Sequence, residues 1–160
     1  MKKTGILLLT LLFLSSCSLS KVEKTTRKTI DGTWTLTNVS YDTQGVFNTI
    51  LFNDATTSCF KGSQWFFRSN NSTGSYTILN SDCPTGVRNI RWSANETSKD
   101  SGMFDFTMKF TDEKKKDLQK NTGYRMKLKY LDANSMQLTQ TVLFENQPFH
   151  INLNFSRVSQ

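Results

Sequence analysis

Asp31-Gly32-Thr33-Trp34-Thr35-Leu36-Thr37-Asn38-Val39-Ser40-Tyr41 opens the folded part of the chain, and the residues after it have to close back onto it. Its Thr, Val, Trp and Tyr residues favour extended backbone, and Trp34 and Leu36, two apart, point to one face. Val39 and Tyr41 continue in the opposite phase, so a bulge or sharp bend is expected midway along the strand. Gly32, just before the large indole, leaves room for the close backbone approach that a barrel floor needs.

The other end of the chain completes the pattern. Phe149, Ile151, Leu153 and Phe155 alternate with His150, Asn152, Asn154 and Ser156, a strand with one apolar face. Antiparallel pairing of the first and last strands sets Arg157 beside Trp34, where a guanidinium over an indole contributes roughly 0.5–2 kcal/mol. The Gly32-x-Trp34 opening and the Arg157 close resemble the signature of the lipocalins. With the N-terminal segment, the chain is similar to small bacterial lipocalin-like lipoproteins from Asp31 to its end. The resemblance implies a barrel that holds a small hydrophobic molecule, a fatty acid or lipid.

Between these strands the pattern repeats. Residues 42–62 form a long connection with Phe47, Ile50, Leu51 and Phe52, long enough to be a functional lid, with a short helix expected around Asp54 to Phe60. Gln64–Arg68 and Ser75–Leu79 flank Asn70-Asn71-Ser72-Thr73-Gly74, a hairpin with strong turn chemistry. A fourth strand carries Ile90 and Trp92. The fifth alternates Phe104, Phe106, Met108 and Phe110 with polar residues, and the sixth does so with Tyr124, Met126, Leu128 and Tyr130. The seventh places Met136, Leu138, Val142 and Phe144 on one face, with Gln140 interrupting it. Eight strands joined mostly by short turns, with no crossover helix, exclude a parallel sheet. The chain is therefore read as an all-β, eight-stranded antiparallel up-and-down β-barrel, which removes its own edges. A two-sheet sandwich is the alternative.

Residues 1–16 read as a signal peptide: Lys2 and Lys3 precede an apolar run, Ile6 to Leu14, too short to span a bilayer. Leu14-Ser15-Ser16-Cys17 is similar to a bacterial lipobox, which implies that Cys17 is the lipid-attachment site and the mature N-terminus. Residues 17–30 then read as the lipidated Cys and a flexible linker, polar and without apolar period, with a reach of roughly 20 Å. Residues 31–160 are the barrel. Ser18 stands where an inner-membrane retention signal would lie, which by resemblance points to the outer membrane of a Gram-negative cell envelope. With Cys17 assigned to lipid, Cys59 and Cys83 are an even pair in an oxidising compartment. They lie in the first and third loops, which share one end of an up-and-down barrel, so a disulfide is expected.

The net charge of +7 is scattered along the strands. Its one run, Lys114-Lys115-Lys116, is ringed by Asp112, Glu113 and Asp117, which fits a solvated hairpin better than nucleic-acid binding. His150, the single histidine, sits on a polar strand face. No metal cluster, phosphate loop, dinucleotide fingerprint or nucleophile elbow is present, so neither an enzyme nor a cofactor is expected. The remaining chemistry is the inward face. Trp65, Phe67, Tyr76, Ile90, Trp92, Phe104, Phe106, Tyr124, Met126, Leu128, Val142 and Phe144 are the candidate cavity lining, with Gly32, Trp34 and Arg157 at the floor. An eight-stranded barrel is wide enough to be filled by side chains or to hold one small ligand. The hydroxyls of Tyr76 and Tyr124 need partners if buried. Two readings stay open: a carrier of a small hydrophobic molecule, or an envelope interaction module with a filled core that meets a protein or glycan through its loops.

Overall fold

The computed structural model describes residues 19–45, 47, 49–120 and 123–159. Eight strands form a closed antiparallel barrel, in chain order β1 (Gly32–Tyr41), β4 (Gln64–Arg68), β5 (Thr73–Ile78), β6 (Gly86–Glu96), β7 (Phe104–Thr111), β8 (Tyr124–Leu131), β9 (Ser135–Phe144) and β10 (Gln147–Arg157). Each pairs with its neighbour in sequence, and β1 pairs with both β4 and β10 to close the cylinder. The bulge expected in β1 falls between Leu36 and Asn38, where the register with β10 shifts. Beyond it Val39 and Tyr41 return to the core side and pack against the buried cluster. Within the first loop, β2 (Ile50–Leu51) and β3 (Ala55–Thr56) make a small hairpin that leads into α2 (Thr57–Phe60).

Strand polarity defines two ends. The floor holds the start of β1, the end of β10 and the turns after β4, β6 and β8; the mouth holds the loops after β1, β5, β7 and β9. Cys59 and Cys83 are joined across the mouth loops, with Cα atoms 5.8 Å apart.

The expected flexible linker is instead helical from Lys21 to Ile30. α1 (Lys21–Ile30) is capped by Ser20, whose hydroxyl accepts from the Glu23 amide at 3.0 Å while the Glu23 carboxylate accepts from the Ser20 amide at 3.1 Å. A ten-residue polar helix is marginal by itself; tertiary contacts hold this one. Ile30 is fully buried and Arg27 nearly so. The Arg27 guanidinium donates to the Ser69 carbonyl at 3.0 Å and lies 5.1 Å from the Trp92 ring centroid. Glu23 also accepts from the Glu96 amide at 2.9 Å, and Asp31 accepts from the Ser69 amide at 2.5 Å. α1 is therefore part of the barrel unit and lies over its floor. Cys17 and the expected signal peptide lie outside the described residues.

Candidate functional site

Period-two alternation places one residue in two from each strand inside the barrel, and in β4 to β8 these residues are mostly aromatic. Trp65 and Tyr76 stack with centroids 4.4 Å apart, and Trp92 and Phe106 stack at 5.7 Å. Phe67 meets both Trp92 and Phe106 edge-on, at 5.6 and 5.9 Å. Such offset and edge contacts add about 0.5–1.5 kcal/mol each beyond area burial. At the floor the Arg157 guanidinium lies 4.2 Å from the Trp34 ring centroid. Gly32, at φ +118°, permits this: a Cβ there would stand 2.7 Å from Arg157 Nη1.

The first loop turns inward at the mouth. Leu51, Phe52 and Phe60 are buried, whereas Ile50 is exposed. The Phe52 ring lies 5.2 Å from Tyr124, 5.7 Å from Phe60 and 6.2 Å from Trp65. The loop also answers the interior phenols. The Tyr124 hydroxyl donates to the Phe52 carbonyl at 2.6 Å, and the Tyr76 hydroxyl donates to Asp54 at 2.6 Å. Arg88 grips the same carboxylate with two bonds, Nε at 2.9 Å and Nη2 at 3.1 Å. Burial, then the bond to Asp54 and the repulsion of its charge, push the Tyr76 phenol far above its ordinary value, so it stays a donor. The three indoles are satisfied too: Trp34 donates to the Ile30 carbonyl, Trp65 to the Ser63 hydroxyl and Trp92 to the Thr73 carbonyl, at 2.8, 2.8 and 2.9 Å. The result is an aromatic interior whose phenols and indoles are hydrogen-bonded, with a loop as its plug.

Trp65, Phe67, Tyr76, Ile90, Trp92, Phe104, Phe106, Tyr124 and Met126 are buried, and Leu128 and Val142 are partly buried against the same cluster. Phe144 is a correction: it is 54% exposed, and its ring meets Phe149 at the rim. Alternation assigned it inward, but the β9–β10 hairpin overruns the level where the barrel still has an interior. Gln140 is half-buried opposite Ile151. His150 stays on the outer face, its Nδ1 2.9 Å from the Thr141 hydroxyl.

Sequence reasoning missed the latch of Asp54 and Arg88, which stand 34 residues apart and carry no local signal. It placed Phe52 in a lid but not inside the barrel. Among the described residues no group of His, Cys, Asp or Glu is placed to hold a metal ion, and no helix is long and apolar enough to cross a membrane.

A family model for a lipocalin-like domain matches residues 30–138. The crystal structure of a lipocalin-like protein from Bacteroides uniformis ATCC 8492 aligns with 81% of this chain and 99% of its own, at 14% identity and a TM-score of 0.46. Among curated proteins, none matches the chain.

Proposed function

The chain belongs to the lipocalin-like domain family, and from that premise we propose that it is a lipid-anchored envelope protein whose barrel binds a small hydrophobic molecule with an anionic head, a fatty acid being the simplest. The observation that carries this reading is that the plug has the form of such a ligand. Asp54 presents a carboxylate to Arg88 and Tyr76, while Phe52, two residues earlier, sets an apolar group among Phe60, Trp65 and Tyr124. A fatty acid entering at the mouth offers both features and takes over the same partners as the loop withdraws. The loop tip is strained in its favour at Phe52, a bulky residue held at φ 56°. A left-handed residue with a side chain costs roughly 1–2 kcal/mol, which lowers the free energy of withdrawal.

The test is a titration of delipidated protein with a fluorescent fatty acid and the matching fatty alcohol. The acid is expected to bind more tightly than the alcohol. Arg88→Ala is expected to reduce the preference for the acid over the alcohol by roughly ten- to a hundredfold, the worth of a charge-assisted bond. No binding by the wild type, or by Phe52→Ala with its plug reduced, overturns the carrier.

The close ring packing of Phe52, Phe60 and Trp65 favours a second reading, an envelope interaction module whose barrel is scaffold and whose loops meet a protein or glycan. Native mass spectrometry separates the two: a co-purifying small molecule supports the carrier, repeated emptiness the module.

The membrane anchor is proposed at Cys17, behind a signal peptide of residues 1–16, with the outer membrane of a Gram-negative cell as its location. Support comes from the apolar run Ile6 to Leu14 and from Leu14-Ser15-Ser16-Cys17. Cys17→Ser is expected to move the protein out of the membrane fraction; unchanged membrane association overturns the anchor.

A further inference from the structure

Among the described residues no other element covers the exposed side of α1. Lys21, Lys24 and Lys28 are all exposed, and at 100° per residue they occupy one arc of about 60°, away from buried Arg27 and Ile30. Among the described residues none of the three is paired with a carboxylate. The nearby acids are engaged elsewhere: Glu23 holds the Ser20 and Glu96 amides, and Asp31 holds the Ser69 amide. Val22 points at least about 100° round the helix from these lysines, into a cleft of about 510 Å³ against Tyr130, so the lysine arc itself is polar. An unpaired basic face a few residues from a lipid anchor is the makeup of a surface drawn to anionic head groups.

Chain length says which surface covers it. Cys17 stands three residues before Ser20, which caps the helix; three residues span at most about 11 Å. The helix cannot swing away on its own, since Arg27 bonds the Ser69 carbonyl, and Arg157 bonds the carbonyls of Thr29 and Asp31. We propose that the Lys21, Lys24 and Lys28 face of α1 lies on the anionic phospholipid surface of the membrane that carries the Cys17 anchor, with the barrel mouth turned away from it. This rests on the anchor reading above. Each basic residue near an anionic surface strengthens partition about fivefold, so three contribute on the order of a hundredfold. The effect falls with salt, over a Debye length of ~8 Å. A rigid helix in place of a flexible linker makes the orientation definite, so a ligand reaches the mouth from the aqueous side.

Lipidated protein reconstituted into phosphatidylcholine vesicles, with and without phosphatidylglycerol, tests this. A dye is placed at Thr25→Cys on the helix or at Leu79→Cys near the mouth, and a quencher on the lipid head groups. Quenching is expected at position 25 and not at 79, stronger with phosphatidylglycerol, and weakened by added salt or by Lys21→Glu, Lys24→Glu and Lys28→Glu together. Equal quenching at both positions, or quenching indifferent to salt and to the charge reversal, overturns the proposal. Intact mass reports the anchor separately. Should Cys17 carry no acyl mass, the anchor reading fails, and sedimentation of the soluble protein with the same vesicles decides the face. Lysine-dependent binding, lost on the order of a hundredfold on charge reversal, sustains it; absence of binding overturns it.

Discussion

Arg157 covers the indole of Trp34 and stands opposite it in register across β1 and β10, its guanidinium carbon 4.2 Å from the ring centroid. The same two residues hold the last turn of α1. Trp34 Nε1 donates to the Ile30 carbonyl, and Arg157 donates to the carbonyls of Thr29, Asp31 and Ala133. Carbonyls at a helix C-terminus lack intrahelical partners and carry the negative end of the dipole, so a cation there is doubly suited. The barrel seam and the floor helix are thus one cooperative unit.

Trp34→Ala is expected to lose roughly 3–5 kcal/mol of stability in denaturant unfolding, the range for a large aromatic removed from a core. Arg157→Lys keeps the charge and loses the fork of donors. Hydrogen exchange should then speed up in α1 more than in the barrel strands; unchanged protection in α1 would show that the fork does not clamp the helix.

Cys59 and Cys83 close a loop across a sequence separation of 24. The chain-entropy estimate for such a loop is about 3.5 kcal/mol. Reduction, or the paired change to Ser, is expected to lower stability by about that amount and to expose the first loop to protease. Equal urea midpoints for reduced and oxidised protein would contradict this.

Tyr76 ionises well above its ordinary value of 10.0 because of burial first, then the hydrogen bond and charge of Asp54. A group with a raised folded pKa stabilises fully below its unfolded pKa and loses that contribution as pH climbs toward the folded value. Stability is therefore expected to fall above about pH 10, by up to about 1.4 kcal/mol per pH unit from this group. Tyr76→Phe should fall less steeply over the same interval. Parallel slopes for the two proteins would place the alkaline loss elsewhere.

Asp54→Ala leaves the Arg88 guanidinium and the Tyr76 hydroxyl without their shared acceptor. Stranding such groups costs about 1–3 kcal/mol. The loss is expected to be local: amide exchange over residues 49–60 should rise while β6 to β8 keep their protection. Uniform loosening of the whole barrel would mean that the plug and the barrel open together.

How much of this was legible in the chain follows from which interactions are local. Alternation such as Phe104, Phe106, Met108 and Phe110 marks a strand and its inward face within eight residues. Consecutive strands joined by short turns leave little choice of partner, so eight strands, their order and closure of the barrel followed directly. The slip in phase after Leu36 marked the bulge for the same reason. Even the joining of Cys59 and Cys83 followed, because loop parity is a consequence of strand order.

Tertiary structure decided the rest. α1 has little apolar period, and its local signals were the box of Ser20 and Glu23 and the basic last turn of Arg27 and Lys28; what holds it is Arg27 on the turn after β4 and Arg157 from the far end of the chain. Alternation put Phe144 inside because a pleat has no knowledge of where the barrel ends. Whether Phe52 covers the mouth or fills it depends on two left-handed backbone angles and on Arg88, distant in sequence, gripping Asp54. A residue pattern reports the direction of a side chain relative to its own backbone. What that side chain meets is set by elements that arrive from elsewhere in the chain, and only the closed barrel brings them together.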